Sequence, residues 1–132
     1  MDREPEQPVC HRAGHHYEYC RLPALEWLRF QIDHVIAEKH HGQTHSDNLA
    51  LSCFHCNSFK GPNISGIDPQ TGKMTRLFHP RRDDWVGHFE WNGVLLTGKS
   101  PIGRTTIDVL RINHPRLVQL RLALRDEGFF KS

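Results

Sequence analysis

The fold is decided by three short segments between residues 32 and 61: Ile32-Asp33-His34-Val35-Ile36, Asp47-Asn48-Leu49-Ala50-Leu51 and Cys53-Phe54-His55-Cys56-Asn57-Ser58-Phe59-Lys60-Gly61. Apolar and polar residues alternate at the start of residues 28–36, which is typical of a half-buried strand. Residues 40–47 are polar and predict a loop, and residues 48–51 resume regular structure. A short helix is predicted from about Phe54 to Lys60, because glycine and then proline follow it and are the usual signals for a helix end.

The polar residues of these segments suggest a metal-assisted reaction. Asp33 and His34 lie at the end of the predicted strand, where successive side chains point to opposite faces. A loop and a helix that fold back can bring the polar end of the helix to one of these faces. Oxygen ligands from Asp33 and Asn57 suit Mg²⁺ or Mn²⁺, which prefer carboxylates, carbonyls and water. Hydrolysis of a phosphodiester needs such a cation together with a base that takes a proton from water.

The order and spacing of these residues resemble the HNH endonuclease family, or His-Me finger nucleases, whose ββα-metal core has the pattern D-H, a spacer, N-L and C-x-x-C-[HN]. The resemblance covers about residues 9–61 and is closest to compact bacterial HNH proteins that carry zinc knuckles. It implies that His34 is the general base and that Asp33 and Asn57 bind the catalytic metal. It also implies that Asn48 pins the loop and orients the backbone of His34 rather than binding metal.

Three basic side chains are predicted to contact the phosphates of DNA. Lys60 lies one turn after the last residue of the motif, and Arg81 and Arg82 follow a proline in a later loop. Guanidinium groups fit phosphate oxygens well, which favours the two arginines as phosphate clamps. The alternative is that they form surface ion pairs with Asp83 and Asp84. The segment from Leu77 to Arg82, with Trp85 and His88-Phe89, also looks like the C-terminal extension of one group of HNH proteins.

The resemblance also implies a structural zinc knuckle, which pairs an early C-x-x-C with a second C-x-x-C before the final Asn. The second pair, Cys53 and Cys56, is intact, whereas the first reads Tyr17-Glu18-Tyr19-Cys20, so that Tyr17 stands where the leading cysteine would be. A phenol is a poor zinc ligand beside thiolates.

Two interpretations of this altered knuckle stay open. In one, His16 or His15 supplies a nitrogen to complete a Cys₃His site with Cys20, Cys53 and Cys56, a ligand set that zinc accepts; Cys10 is a further possible ligand without a spacing argument. In the other, the metal has been lost and the knuckle packs through apolar contacts.

The rest of the chain predicts an α+β fold. Asn92-Gly93 between two strand-like segments is the strongest short-range hairpin signal. Ser100 and Pro101 predict the start of one helix that ends near Arg111, and a second helix starts at Pro115 and ends before Gly128. The predicted architecture is therefore a ββα-metal core, a β-hairpin extension and two C-terminal helices. Its predicted division is a disordered tail at 1–8 and a single HNH nuclease domain at 9–132, with the core at 20–61 and the extension at 62–132.

Charge is distributed unevenly along the 132 residues. Residues 1–72 hold six Lys and Arg against nine Asp and Glu, whereas residues 73–125 hold ten against four. This asymmetry suits a polyanionic partner that is contacted mainly by the second half, although a solvated helix face would also produce it. No apolar run approaches the roughly 18 residues that span a membrane, and the charged, proline-bearing start does not resemble a secretory signal. A cytoplasmic protein is therefore predicted.

Together these observations predict an HNH endonuclease that hydrolyses DNA phosphodiester bonds with Mg²⁺ or Mn²⁺ and His34 as the base. Two other functions are weighed against it. One is a catalytically weak or inactive HNH-fold module that binds nucleic acid, which the altered knuckle motivates. The other is a purely structural zinc protein. The sequence does not specify the DNA target, the biological role or the oligomeric state.

Overall fold

A computed structural model describes residues 16–23 and 30–130 and shows mixed α and β structure, with three two-stranded sheets and four α-helices in these ranges. The elements in chain order are β1 (Phe30–His34), β2 (Leu49–Cys53), α1 (Phe54–Lys60), β3 (Ser65–Ile67), β4 (Met74–Arg76), α2 (Trp85–His88), β5 (Phe89–Asn92), β6 (Leu95–Gly98), α3 (Pro101–Leu110) and α4 (Pro115–Asp126). The predicted tail at 1–8 and the candidate ligands Cys10 and His15 lie outside the described residues.

The motif segments form an antiparallel strand pair followed directly by a helix. β1 pairs with β2 so that Asp33 lies opposite Ala50 and His34 lies opposite Leu49. The loop between the strands contains two short 3₁₀ turns, Glu38–His40 and Ser46–Asn48. All five residues of β2 are buried, and α1 starts at the next residue, as the sequence predicts.

The later elements form two hairpins, the short helix α2 and two C-terminal helices, α3 and α4. β5 and β6 pair across Asn92-Gly93, where Gly93 adopts the positive φ of 63° that this turn needs. Ser100 caps α3 by accepting a hydrogen bond from the Gly103 amide, and Pro101 occupies its first position. The four-residue helix α2 is not predicted, because so short an element leaves no periodic pattern in the sequence.

Buried side chains from both halves of the chain form one hydrophobic cluster. The cluster joins Tyr17 and Leu51 to Phe78, Phe89 and Leu110, with Trp85 and Trp91 packed against it. α1 and α3 pack together, and His55 Nε2 lies 3.1 Å and 2.9 Å from the carbonyl oxygens at the end of α3. The single-domain division at 9–132 stays a prediction. No helix in the described ranges has the length and apolar character to cross a membrane.

Candidate functional site

His34 lies at the end of β1 with its imidazole held by the loop that follows. Its Nε2 is 2.9 Å from Thr44 Oγ1 and 3.3 Å from Glu38 Oε1, and the side chain is 19% exposed. Nδ1 has no partner among the described residues. When Nε2 carries the proton and donates it to these oxygens, the lone pair of Nδ1 is free to accept another proton. The ring is therefore oriented, and part of it remains open to solvent.

Asn48 holds the two ends of this loop together. Its Oδ1 accepts from the Ile36 amide at 2.8 Å, and its Nδ2 donates to the carbonyls of Ile36 and Gln43, each at 2.9 Å. The Asn48 carbonyl also accepts from the Val35 amide at 2.8 Å. A Cβ on Gly42 would come within 1.6 Å of the Ile36 carbonyl oxygen, so only glycine fits this close approach. These bonds fix the backbone directly after His34; the role in orienting His34 that the resemblance implies for Asn48 stays a prediction.

The Asp33 side chain points from the face of β1 opposite His34 into the protein interior, where it contacts Lys60. The Lys60 ammonium lies 3.2 Å from Asp33 Oδ2 and donates to the His34 carbonyl, while the Tyr19 hydroxyl donates to Oδ2 at 2.7 Å. The two charged residues are only 5% and 1% exposed. Burial raises the pKa of Asp33, and the Lys60 charge and the Tyr19 hydrogen bond oppose that shift.

This pair changes the interpretation of two predicted residues. Lys60 was predicted to contact phosphate. In the structure α1 turns this side chain toward β1, and its ammonium is buried from solvent. The oxygens of Asp33, predicted as metal ligands, hold Lys60 and Tyr19 instead. A cation could reach this carboxylate only if Lys60 moved away.

Asn57 lies on α1 three residues before Lys60, so both side chains occupy neighbouring positions on the helix surface. Asn57 is half-buried, and its amide has no hydrogen-bond partner among the described residues. Because Lys60 contacts β1, this surface of α1 faces the strand that carries Asp33 and His34. The unpartnered amide oxygen is therefore available to an external ligand.

Three cysteines form a separate, buried cluster at the start of α1. The sulfurs of Cys20, Cys53 and Cys56 all lie within 4.8 Å of one another, and all three are free thiols. Hydrogen bonds shared among them lower the pKa of Cys53 and raise those of Cys20 and Cys56. Sulfurs that bind zinc tetrahedrally lie roughly 3.8 Å apart, since Zn–S bonds are about 2.3 Å long. The Sγ atoms of Cys20 and Cys53 are 3.8 Å apart, so the cluster fits a structural metal such as zinc.

The structure does not place His16, the predicted fourth ligand, in this cluster. His16 is exposed and its backbone bridges to Pro23, and within the described ranges no histidine or carboxylate joins the three sulfurs. The next residue, Tyr17, points inward instead and is fully buried. The burial of Tyr17 raises its pKa, and nearby Cys53 and Cys20 add to that effect. The phenol therefore occupies the region where the knuckle pattern would place its leading cysteine.

The two predicted phosphate clamps have different surroundings. Arg81 forms an ion pair with Glu18, whose other oxygen accepts from the amide of Leu51, so Arg81 is committed to an internal contact. Arg82 is exposed, has no side-chain partner in the described part of the chain, and borders a cavity of about 430 Å³ beside the loop that Asn48 pins. Of the two arginines, only Arg82 is therefore free to contact phosphate.

The alternative pairing with Asp83 and Asp84 is not what the structure contains. Asp83 binds Arg76 instead, through two hydrogen bonds of 2.7 Å and 2.8 Å, and also accepts from the backbone amide of His79. The sequence pattern did not predict four of the residues that contact the candidate site residues or their neighbours: Tyr19, Glu38, Thr44 and Arg76. The spacing of four between His34 and Glu38 would indicate a contact only on a helix, and here the chain runs from a strand into a 3₁₀ turn.

Comparison with known proteins agrees with the motif. The family model for HNH endonucleases matches residues 8–63. The chain is similar to Septu protein PtuB of Bacillus thuringiensis, with 35% identity over 78 residues, which cover 58% of this chain and 28% of that protein. The chain thus aligns with under a third of the length of this relative. No solved structure matches the chain significantly. The motif residues lie on β1, in the 3₁₀ turn before β2 and on α1, and the family model matches the segment that contains them, so the chain carries a domain of the HNH endonuclease family at residues 8–63.

Proposed function

We propose that the protein is a metal-dependent endonuclease that hydrolyses phosphodiester bonds of DNA, with β1, β2 and α1 as its ββα-metal core. The observation that carries the proposal is the His34 imidazole. It is partly exposed and oriented through Nε2 by Thr44 and Glu38, and Nδ1 has no hydrogen-bond partner within residues 16–23 and 30–130. This is the arrangement that a general base needs, because one nitrogen is fixed while the other can take a proton from water.

In this proposal Nδ1 of His34 accepts the proton of the attacking water. Asn48 keeps the ring in place indirectly, because it fixes the backbone on both sides of the loop that contacts the imidazole. Asn57 and Asp33 would hold Mg²⁺ or Mn²⁺, which supplies positive charge at the phosphate when bound. Lys60 would have to give up its contact with Asp33 before that carboxylate could bind the metal.

DNA is proposed as the substrate because its phosphates complement the charge of the second half of the chain. Residues 73–125 carry ten basic and four acidic side chains, and Arg82, which has no side-chain partner among the described residues, lies beside the loop that follows His34. The expected phosphate contact is therefore Arg82 rather than Arg81 or Lys60.

The proposal is tested by nicking of supercoiled plasmid with His34→Ala in Mg²⁺ or Mn²⁺, with a chelator as the blank. General-base catalysis contributes about 10²–10⁴-fold to a rate, so the variant should lose at least a hundredfold while its melting temperature stays near that of the wild type. His40→Ala is the matched control, because it removes an exposed imidazole from the same loop. Undiminished nicking by His34→Ala would overturn the assignment. Wild-type protein that retards labelled DNA but never cuts it would instead identify a binding module.

A further inference from the structure

The β3–β4 hairpin is a two-stranded ribbon with one face fixed to α3. A Cβ on Gly66 would overlap the Val109 side chain of α3, so the ribbon lies directly against the helix. Asp68, which is fully buried, accepts two hydrogen bonds of 3.0 Å and 2.8 Å from Arg104 of α3. Both close packing and an ion pair therefore hold this face of the ribbon in place.

The opposite face of the ribbon carries two apolar residues that the described part of the chain does not cover. Successive side chains of a strand point to opposite faces, so Ile67, between Gly66 and Asp68, points away from α3. Ile67 pairs with Met74 across the ribbon. The two residues are 53% and 77% exposed, and Met74 is the most exposed large hydrophobic residue of the described ranges. Single exposed apolar residues are ordinary, but a cross-strand pair on a fixed ribbon forms an apolar surface that suits a binding partner.

The charge around this pair favours a polyanion as the partner. Residues 61–82 hold four Lys and Arg and a single acid, Asp68, which is already ion-paired. Lys73 precedes Met74, is exposed and has no side-chain partner within the described ranges. Arg76 is 54% exposed even in its own ion pair. DNA phosphates complement these cations, whereas a second copy of this chain would bring the same cations against each other.

The outer face of the ribbon also continues to the candidate active site. Arg76 lines a cavity of about 440 Å³ together with Val35 and Arg82. Val35 follows His34 in the chain, and Arg82 also borders the cavity beside the loop after His34. Because a strand rises about 3.3–3.4 Å per residue, Met74 lies roughly 7 Å beyond Arg76, which is about two base-pair steps. A duplex that is bound at His34 and extends past Arg82 would therefore reach the ribbon.

We propose that the outer face of the β3–β4 hairpin, formed by Ile67, Met74 and Arg76, enters the major groove of the DNA beside the cleaved phosphate. This inference rests on the proposed function and adds a second contact to it. A ribbon whose strands lie about 4.8 Å apart, with its side chains, fits the major groove of about 12 Å but is too wide for the minor groove of about 6 Å. In the major groove the apolar pair contacts thymine methyl groups, and Lys73 contacts a phosphate.

The first test measures binding by fluorescence anisotropy, with a labelled duplex of alternating A·T base pairs and a chelator that prevents cutting. Ile67→Thr combined with Met74→Ser should weaken binding at least about tenfold, because the double variant loses most of the apolar surface that the duplex would bury. Its salt dependence should not change, since no charge is lost. Lys73→Gln should instead reduce the salt slope by about 0.9, the value for one phosphate contact. Leu95→Ser, at an exposed leucine of the β5–β6 hairpin, is the matched control and should leave the affinity unchanged.

A second measurement identifies the groove. Deoxyuridine in place of thymidine removes only the 5-methyl group, which lies in the major groove, and leaves the minor groove unchanged. The loss of one buried methyl group corresponds to about a fourfold change in affinity, so the wild type should bind the deoxyuridine duplex about fourfold less tightly. The double variant should bind both duplexes equally well.

These measurements need no cleavage, so their outcomes are separate from those of the nuclease test. Binding that depends on the ribbon, without any nicking of plasmid, would overturn the proposed function alone. Wild-type affinity of the double variant, or equal affinity of the wild type for the two duplexes, would overturn the major-groove contact even if plasmid is nicked.

Two further results would show that something other than DNA covers the apolar pair, and either would overturn the inference. Substitutions of exposed residues have little effect on stability, so a double variant that melts more than about 5 °C below the wild type without DNA would show that the chain itself covers the pair. A wild-type dimer in light scattering that the double substitution dissociates would show that a second copy covers it.

Discussion

Lys60→Met removes the ammonium that pairs with the buried carboxylate of Asp33 and, among the described residues, leaves the Tyr19 hydroxyl as its side-chain hydrogen-bond partner. Methionine has a similar length, so the change creates little empty space. Removal of one partner from a buried ion pair costs about 3–5 kcal/mol, because the other charge stays buried and unpaired. In a domain of this size 1 kcal/mol shifts the melting temperature by about 3–5 °C, so the variant should melt about 10–20 °C below the wild type at pH 8.

The loss of stability in Lys60→Met should depend on pH. Burial already raises the pKa of Asp33, and the loss of Lys60 removes the largest influence that lowers it. A carboxyl group whose pKa is higher in the folded state binds more protons when folded, so stability falls as pH rises from its unfolded pKa of about 3.9 toward the folded value. Lys60→Met should therefore lie closest to the wild type near pH 4–5 and furthest from it at pH 8.

Thermal and urea melts at pH 5 and pH 8 measure this effect, with the exposed Lys39→Met as the control. Asp33→Asn combined with Lys60→Met removes the stranded charge and should recover at least half of the loss at pH 8. Mg²⁺ should raise the melting temperature of Lys60→Met but not that of the double variant, if Asp33 is a metal ligand. A deficit that is the same at both pH values, and that Asp33→Asn does not relieve, would refute the argument.

Two other predictions concern the loop and a surface ion pair. Asn48→Asp keeps the size of the side chain but loses the two N–H donors that bind loop carbonyls. It should therefore lower the free energy of unfolding by about 2–4 kcal/mol and reduce plasmid nicking. A free energy of unfolding equal to that of the wild type would contradict the role of Asn48 in holding the loop. Arg76 holds the pKa of Asp83 at about 2, so the stabilisation from this pair is complete above the unfolded pKa of 3.8 and is lost as pH falls toward 2. The difference in urea midpoint between the wild type and Asp83→Asn should therefore shrink from pH 5 to pH 2, and a constant difference would contradict this origin.

The sequence predicts those elements whose signals are local. The end of α1 follows from the glycine and proline after Lys60, and the β5–β6 hairpin follows from Asn92-Gly93. The start of α3 follows from a serine cap with proline behind it. In each case the deciding residues are neighbours in the chain, so backbone preferences alone determine the result.

The sequence does not predict the contact partners of a side chain when those partners are distant in the chain. Spacing places Lys60 one turn after Asn57, but it does not reveal that β1 buries that face and offers Asp33 as a partner 27 residues away. Arg81 likewise pairs with Glu18, which belongs to the knuckle and carries no motif of its own. The outward direction of His16 follows from the inward packing of Tyr17, which only the folded core determines.

The length of α1 links the two parts of the candidate site. A helix of seven residues is too short to be stable by itself, since isolated helices below about 12–15 residues are marginal in water, so tertiary contacts must hold it. At its start the Cys53 sulfur accepts from the Cys56 amide, and at its end Lys60 binds Asp33. Asn57 lies between these two anchors.

A metal bound by the cysteines would fix one end of α1, and the charge state at Asp33 would fix the other, so the position of the Asn57 amide depends on both. Zinc removal should therefore impair a reaction that uses Asn57 even though zinc never touches the DNA.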